Sequence, residues 1–132
     1  MLIGVVMTNK NSGFTLIEFL VAIVILMVGM LGLLQVINVA MDQNLNNIFR
    51  NEAVMLADDM MMKNRARAFV SISTGTQQGY EQRNVRGIMK NYSVTRVVTD
   101  RTGNSKEIAI DVRWKKKNAA YSHSVNSVIS TY

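Results

Sequence analysis

Residues 13–41 read GFTLIEFLVAIVILMVGMLGLLQVINVAM, and this stretch decides the architecture of the chain. Between Phe14 and Met41 the only ionisable side chain is Glu18, and residues 19–34 contain no polar side chain. About 20 apolar residues in a helix, each rising about 1.5 Å, cross the hydrocarbon core of a membrane. The stretch therefore predicts a transmembrane helix over residues 14–41.

The residues before this helix, MLIGVVMTNKNSG, form a predicted leader over 1–13. Its only charge is Lys10, and the preference for positive residues on the cytoplasmic side predicts a cytoplasmic N-terminus. In an ordinary secretory signal the small residues of the cleavage site follow the apolar core, whereas here Ser12 and Gly13 precede it. Translation from Met7 would remove the apolar residues 1–6, and the sequence leaves both starts open.

The helix is predicted to continue to about Phe69, because the chain contains no proline to break it. Its second half is amphipathic, with Asp59 and Lys63 as a stabilising i, i+4 pair off the apolar side. The predicted apolar stripe consists of Leu45, Phe49, Ala53, Leu56 and Met60. In the first half, Gly29 and Gly32 each cost about 1 kcal/mol relative to alanine. They predict either local flexibility of the helix or close packing against another helix.

A small antiparallel sheet is predicted after the helix. Residues 71–87, SISTGTQQGYEQRNVRG, are polar and glycine-rich and predict a loop. Alternating or β-branched residues predict strands over 92–99, 107–114 and 121–129, joined by turns at 100–105 and 115–120. The fold class is therefore α+β, with a long helix packed on a sheet of three or four strands. The methionines at positions 55 and 60–62 are interpreted as core filling.

The charges are concentrated in the second half of the chain. Residues 1–60 contain two basic and five acidic side chains, whereas residues 61–132 contain thirteen basic and four acidic ones. Such an excess favours anionic partners. Lys115, Lys116 and Lys117 follow Trp114 and form a candidate basic contact patch for nucleic acid, although Trp114 falls on the apolar side of its strand.

Catalytic and metal-binding functions have little support in the sequence. Without cysteine the chain can form no disulfide, thiol nucleophile or cysteine-based metal site. His123 is the only histidine, and no second ligand or partner base stands at a recognisable spacing from it. The sequence predicts neither an enzyme nor a cofactor.

The junction GFTLIEFLVAIVIL, residues 13–26, resembles the N-terminal signature of type IV pilins and pseudopilins, which carry class III signal peptides. The resemblance implies cleavage after Gly13 by the membrane prepilin peptidase and N-methylation of Phe14. It also implies that Glu18 pairs with the N-terminus of an adjacent subunit. The remaining partners that it implies are other pilin subunits, an inner-membrane assembly platform and a cytoplasmic ATPase.

Two further segments, GMLGLL at 29–34 and AVMLADDMMMKNRARAF at 53–69, resemble PilV-type minor pilins. The chain lacks both the mid-span proline of many pilins and the disulfide of many major pilins, which weakens the case for a major subunit. The resemblance therefore implies a minor pilin-like structural subunit with a pilin head over residues 42–132. It would lie in the bacterial inner membrane before assembly and in an extracellular pilus afterwards.

Three alternatives remain open at the level of the sequence. A pseudopilin of a type II secretion system would use the same helix in a periplasmic pseudopilus. A DNA-uptake pilin would use the basic head as its working surface. A single-pass anchored protein would form no filament at all.

Overall fold

One long helix, α1, dominates the computed structural model, which describes residues 13–131. The helix runs over Leu16–Arg65 and contains 50 residues, without a break at either internal glycine. Its predicted end at Phe69 was four residues too late, because Ala66–Ala68 leave the helix before a 3-10 turn at Phe69–Ser71. The described residues fall into two compact units, one ending at Met41 and the other beginning at Asp42.

The second unit contains a four-stranded antiparallel sheet in the order β1-β2-β3-β4. The strands are β1 Gly75–Val85, β2 Ile88–Thr102, β3 Ser105–Lys116 and β4 Ala119–Ser130. Each is joined to the next by a two-residue turn, so the sheet is a simple meander and each strand pairs with its neighbours in the chain. In the first turn both Arg86 and Gly87 have positive φ, which is the hairpin geometry that glycine favours.

The predicted loop at 71–87 is wrong, since most of it forms β1. Its glycines and glutamines have low strand propensity, and nearly every residue of the strand is exposed. What makes it a strand is its pairing with β2, from Gly75 opposite Val98 to Val85 opposite Ile88. The sheet therefore has four strands, and the two flanking predicted turns shrink to residues 103–104 and 117–118.

The core of the second unit lies between α1 and one face of the sheet. Every second residue of β2 and β3 points toward the helix, which is the alternation expected of a sheet with one covered face. The buried apolar residues of the helix are Phe49, Ala53, Leu56, Ala57 and Met61. Those of the strands and the segment before them are Ile72, Val85, Tyr92, Val94, Val98, Ile108, Ile110, Val112 and Trp114.

The predicted helix stripe is buried at its centre and half-buried at its two ends. Phe49, Ala53 and Leu56 are buried as predicted, whereas Leu45 and Met60 are half-buried. Of the four clustered methionines only Met61 is buried and Met60 packs against the core, whereas the other two are exposed. The predicted Asp59–Lys63 pair is present, with Lys63 Nζ 2.7 Å from Asp59 Oδ2.

Candidate functional site

The start of α1 is a reciprocal cap built from Thr15 and Glu18. Glu18 Oε2 accepts hydrogen bonds from the Thr15 backbone N–H and from Thr15 Oγ1, both at 2.9 Å. In return, the Glu18 backbone N–H donates to Thr15 Oγ1 at 3.3 Å. This arrangement is a capping box, which satisfies backbone donors that the first turn of a helix leaves open. It holds the Glu18 carboxylate beside the backbone that immediately follows Gly13 and Phe14.

The apolar half of α1 is not covered by any of the described residues of its own unit. None of its most apolar 18-residue window is buried, and the helix is long and apolar enough to cross a membrane. Phe14 is 78 % exposed. The exposure continues along the helix, and the large apolar side chains of Ile25 and Leu33 are 66 % and 65 % exposed. Such a continuous apolar surface needs lipid or other helices around it.

Gly29 and Gly32 lie inside the regular helix. A Cβ atom added at either position would meet nothing within 4 Å, so neither glycine is required by packing within the chain. Their predicted role in helix flexibility stays a prediction.

The predicted lysine patch is divided by the structure. Lys116 Nζ and Lys117 Nζ both lie 3.2 Å from Asp42 Oδ1, and Lys116 Nζ also donates to the Asp42 backbone carbonyl. The Lys116 side chain is only 11 % exposed, whereas that of Lys117 is 78 % exposed. Lys115 falls on the other face of the strand from Trp114 and is exposed. The three lysines therefore do not form one continuous surface.

Asp42 and Trp114 both make structural contacts within residues 42–131. Hydrogen bonds from Lys117 and, to a smaller extent, from Lys116 hold the pKa of the Asp42 carboxyl below its usual value. This contact fastens the β3–β4 turn to α1. Trp114 is 4 % exposed and stacks on Tyr121 with the ring centres 5.8 Å apart, so its ring faces are not available to a nucleic-acid base.

The polar residues of β4 also have structural partners. Ser127 Oγ accepts hydrogen bonds from Arg65 Nε at 2.9 Å and Arg65 Nη2 at 2.5 Å, which joins the end of α1 to β4. Ser124 donates to Asp111 at 2.7 Å. Within residues 13–131 no group of three or more His, Asp or Glu side chains is arranged to hold a metal ion.

Two features of interest were missed by the sequence analysis. The Thr15-x-x-Glu18 spacing is the pattern of a capping box and was sufficient to predict the cap. Arg96 is different, because it occupies a core-facing position in β2 and is only 8 % exposed. Only the packing of the helix on the sheet reveals it.

Comparison with known proteins identifies the helix junction. Residues 8–34 match the family model described as the prokaryotic N-terminal methylation motif. No curated protein and no solved structure matches the chain. The motif and the exposed apolar helix support a membrane-anchored protein of the type IV pilin and pseudopilin kind. The motif implies processing by a prepilin peptidase and assembly with other pilins, and it points to a structural subunit and not an enzyme.

Proposed function

We propose that the protein is a minor type IV pilin-like subunit. It is cut after Gly13 and methylated on the new N-terminus at Phe14, and residues 14–41 anchor it in the inner membrane. An assembly platform and a cytoplasmic ATPase then transfer it into a pilus, where the same helix becomes part of the filament core. The observation that carries the proposal is a lone carboxylate, Glu18, at the start of an apolar helix that the described residues leave exposed.

The geometry around Glu18 suits the pairing of two subunits. A carboxylate at the centre of a membrane span costs about 2.5 to 3.5 kcal/mol, and this cost falls when an opposite charge lies beside it. Both hydrogen bonds that Thr15 donates, one from its backbone N–H and one from its hydroxyl group, use Oε2, and no described residue donates to Oε1. The cap therefore holds the carboxylate with one oxygen free to accept a hydrogen bond from the α-amino group of a neighbouring subunit.

The assembly step draws little from the hydrophobic effect. Lipid tails and apolar helices are similar surroundings for the exposed side chains of α1, so exchanging one for the other has a small net free energy. Helix packing, the ion pair at Glu18 and external work must therefore determine the direction of assembly. The cytoplasmic ATPase would supply that work.

The N-terminal mass of the mature protein tests cleavage and methylation together. The expected product begins at Phe14 and carries one methyl group on its α-amino nitrogen. Gly13→Ala should accumulate as the precursor, because the added methyl group obstructs a peptidase that expects glycine before the cut. A native protein that retains its leader would contradict the proposal and favour a plain membrane anchor. Residues 1–12 of the leader, including both candidate start methionines and Lys10, lie outside the described residues.

A matched pair of variants separates the charge of Glu18 from its capping role. Glu18→Gln keeps an oxygen that can accept from Thr15, whereas Glu18→Ala removes both the cap and the charge. We expect both variants to insert in the membrane and both to be lost from sheared filaments. Normal incorporation of Glu18→Gln would show that the charge is not needed and would refute the pairing role.

A pseudopilin of a type II secretion system is the second candidate, because the methylation motif and the apolar helix suit either machine. Detection of the subunit in sheared surface fibres supports the pilus. Its retention in the periplasm, together with a secretion defect in the deletion strain, supports the pseudopilus. DNA uptake is less favoured, since Lys116 and Lys117 are engaged by Asp42. A mobility shift that is lost on replacing Lys115 alone would restore it.

A further inference from the structure

Arg96 is a buried cation on the side of the sheet that faces α1. It takes the place of a core residue between Val94 and Val98, and it is 8 % exposed. Arg96 Nη1 donates to Gln77 Oε1 at 2.8 Å across the β1–β2 pair. Its Nε and Nη2 atoms are buried without a hydrogen-bond partner among residues 13–131. Among the described residues a neutral amide is therefore the one acceptor for a desolvated guanidinium, which is an unfavourable arrangement.

The charges near Arg96 make this arrangement more unfavourable. Burial lowers the pKa of Arg96, and the positive charge of Arg67 lowers it further. In the part of the chain that the structure describes, no aspartate or glutamate forms an ion pair with Arg96. The positive charge of Arg96 is thus not compensated by any described residue.

A groove opens beside Arg96, between α1 and the edge strand β1. Met60 and Val94 line it together with Gln77, Gly79 and other residues of β1, and its volume is about 220 Å³. A Cβ atom added at Gly79 would meet nothing within 4 Å, so the space above this glycine is empty. The volume falls below the range of about 300 to 1,000 Å³ that is typical of small-molecule sites, and it suits a single side chain.

The free edge of β1 provides a second point of attachment. Among residues 13–131 this strand pairs with β2 alone, so no described strand occupies the backbone groups along its other edge. An extended segment added there would place alternate side chains on the same face as Gln77 and Gly79. One of those side chains would enter the groove.

We propose that the groove accepts an acidic side chain from an extended segment of a neighbouring subunit, whose carboxylate replaces Gln77 as the acceptor for Arg96. Hydrogen bonds between a guanidinium and a carboxylate are charge-assisted and stronger than those to an amide. Glu81 follows Gln77 along β1 and also lines the groove. Its negative charge repels an incoming carboxylate, so the incoming acidic side chain lies beside Gln77. The neighbour is another component of the filament, so this assignment rests on the proposed function.

The partner is a different protein and not a second copy of the chain. Copies anchored in one membrane share an orientation, and the edge that such a copy would bring to β1 is its β4. The β4 sequence AAYSHSVNSVIS contains no acidic residue. The β4 strand of a second copy in this orientation therefore has no carboxylate side chain to offer to Arg96.

The chemistry of the site is tested on the full chain in detergent micelles. Sodium acetate is titrated at constant ionic strength while the amide resonances of Gln77 and Gly79 are followed by NMR, with acetamide as the neutral comparison. We expect a saturable shift with acetate that is lost in Arg96→Met and kept in Arg101→Met, an exposed arginine bound to Glu107. The melting temperature of Arg96→Met should equal or exceed that of the parent. No saturable shift, or the same shift in Arg96→Met, would overturn the site.

The partner is tested in cells that assemble filaments. Because the chain has no cysteine, Gly79→Cys introduces a single thiol at the floor of the groove. Maleimide labelling of this variant should be at least tenfold lower in sheared filaments than in membranes, and combination with Arg96→Met should restore it. Asn126→Cys, on the exposed face of β4, should label equally in both fractions.

The two arms separate failure of this inference from failure of the proposed function. Equal labelling of Gly79→Cys in filaments and membranes would refute an occupied groove, while the presence of the subunit in filaments would still support a pilin role. Absence of the subunit from every filament fraction would refute the pilin role and the filament partner together. The acetate titration would then decide whether Arg96 binds a carboxylate at all.

Discussion

The hydroxyl group of Tyr92 joins the sheet to the helix, and its removal has a pH-dependent consequence. Tyr92 is fully buried, and its Oη donates to the backbone carbonyl of Phe49 at 3.1 Å. Burial, and then the negative charge of Glu52, raise the pKa of Tyr92 to about 12. Tyr92→Phe keeps the ring in the core and removes only the hydroxyl group.

At neutral pH the variant should be less stable than the parent by about 1 kcal/mol, the usual net value of one hydrogen bond. The Phe49 carbonyl lies inside α1, where it also accepts a hydrogen bond from the helix backbone. Removing the tyrosine hydroxyl group therefore leaves no unpaired acceptor in the helix. The expected cost therefore lies at the modest end of such changes.

At alkaline pH the order should reverse. The unfolded tyrosine ionises with a pKa of about 10, whereas the folded one ionises near 12, so the proton binds more tightly in the folded state. Stability from this group is fully present below pH 10 and is lost as the pH rises toward 12. The loss reaches about 1.4 kcal/mol at pH 11. Because phenylalanine does not ionise, Tyr92→Phe should equal the parent between about pH 10.5 and 11 and exceed it above that.

Urea unfolding of the full chain in dodecyl maltoside micelles measures this effect. Trp114 is the only tryptophan, and its ring centre lies 6.1 Å from that of Tyr92, so its fluorescence reports on this part of the core. Other titrating groups affect both proteins alike and cancel in the difference. A difference in free energy of unfolding that stays constant from pH 8 to pH 11.5 would refute the assigned ionisation of Tyr92.

Two further predictions concern the hairpin turns and the contact of the helix with the β3–β4 turn. Gly87→Ala should lower the free energy of unfolding by roughly 1 to 2 kcal/mol, because the φ of +84° at this position is strained for any residue with a Cβ. Gly79→Ala is the control, since a Cβ has the same space there and φ is ordinary. It should be neutral or stabilising in the same urea titration. Asp42 has a lowered pKa, so its contribution is present above its usual pKa of 3.8 and is lost as the pH falls below that value. Asp42→Asn should therefore abolish part of the acid-induced fall in melting temperature, and an identical acid profile in both proteins would contradict the contact with Lys116 and Lys117.

Local patterns in the sequence were enough to predict the helix and three of the four strands, β2, β3 and β4. In lipid, a single apolar segment is stable only when its own backbone groups pair with one another, and no proline disturbs the helix. In β3, the alternation of Ile108, Ile110 and Val112 with polar residues follows from one buried and one exposed face. The methylation motif at the junction Gly13–Glu18 could also be recognised, because it lies within a few consecutive residues.

The edge strand, the divided lysine run and the buried Arg96 depended on tertiary structure. β1 has little strand propensity of its own and exists through its pairing with β2, a relation between segments that a local window does not contain. Lys116 and Lys117 meet Asp42 across more than seventy positions of the chain. In the same way, the charge of the arginine at position 96 of β2 predicts an exposed side chain, and only the packing of the helix on the sheet buries it. Sequence determines what each segment can form, and the contacts between distant segments decide which side chains are buried, paired or left without a partner.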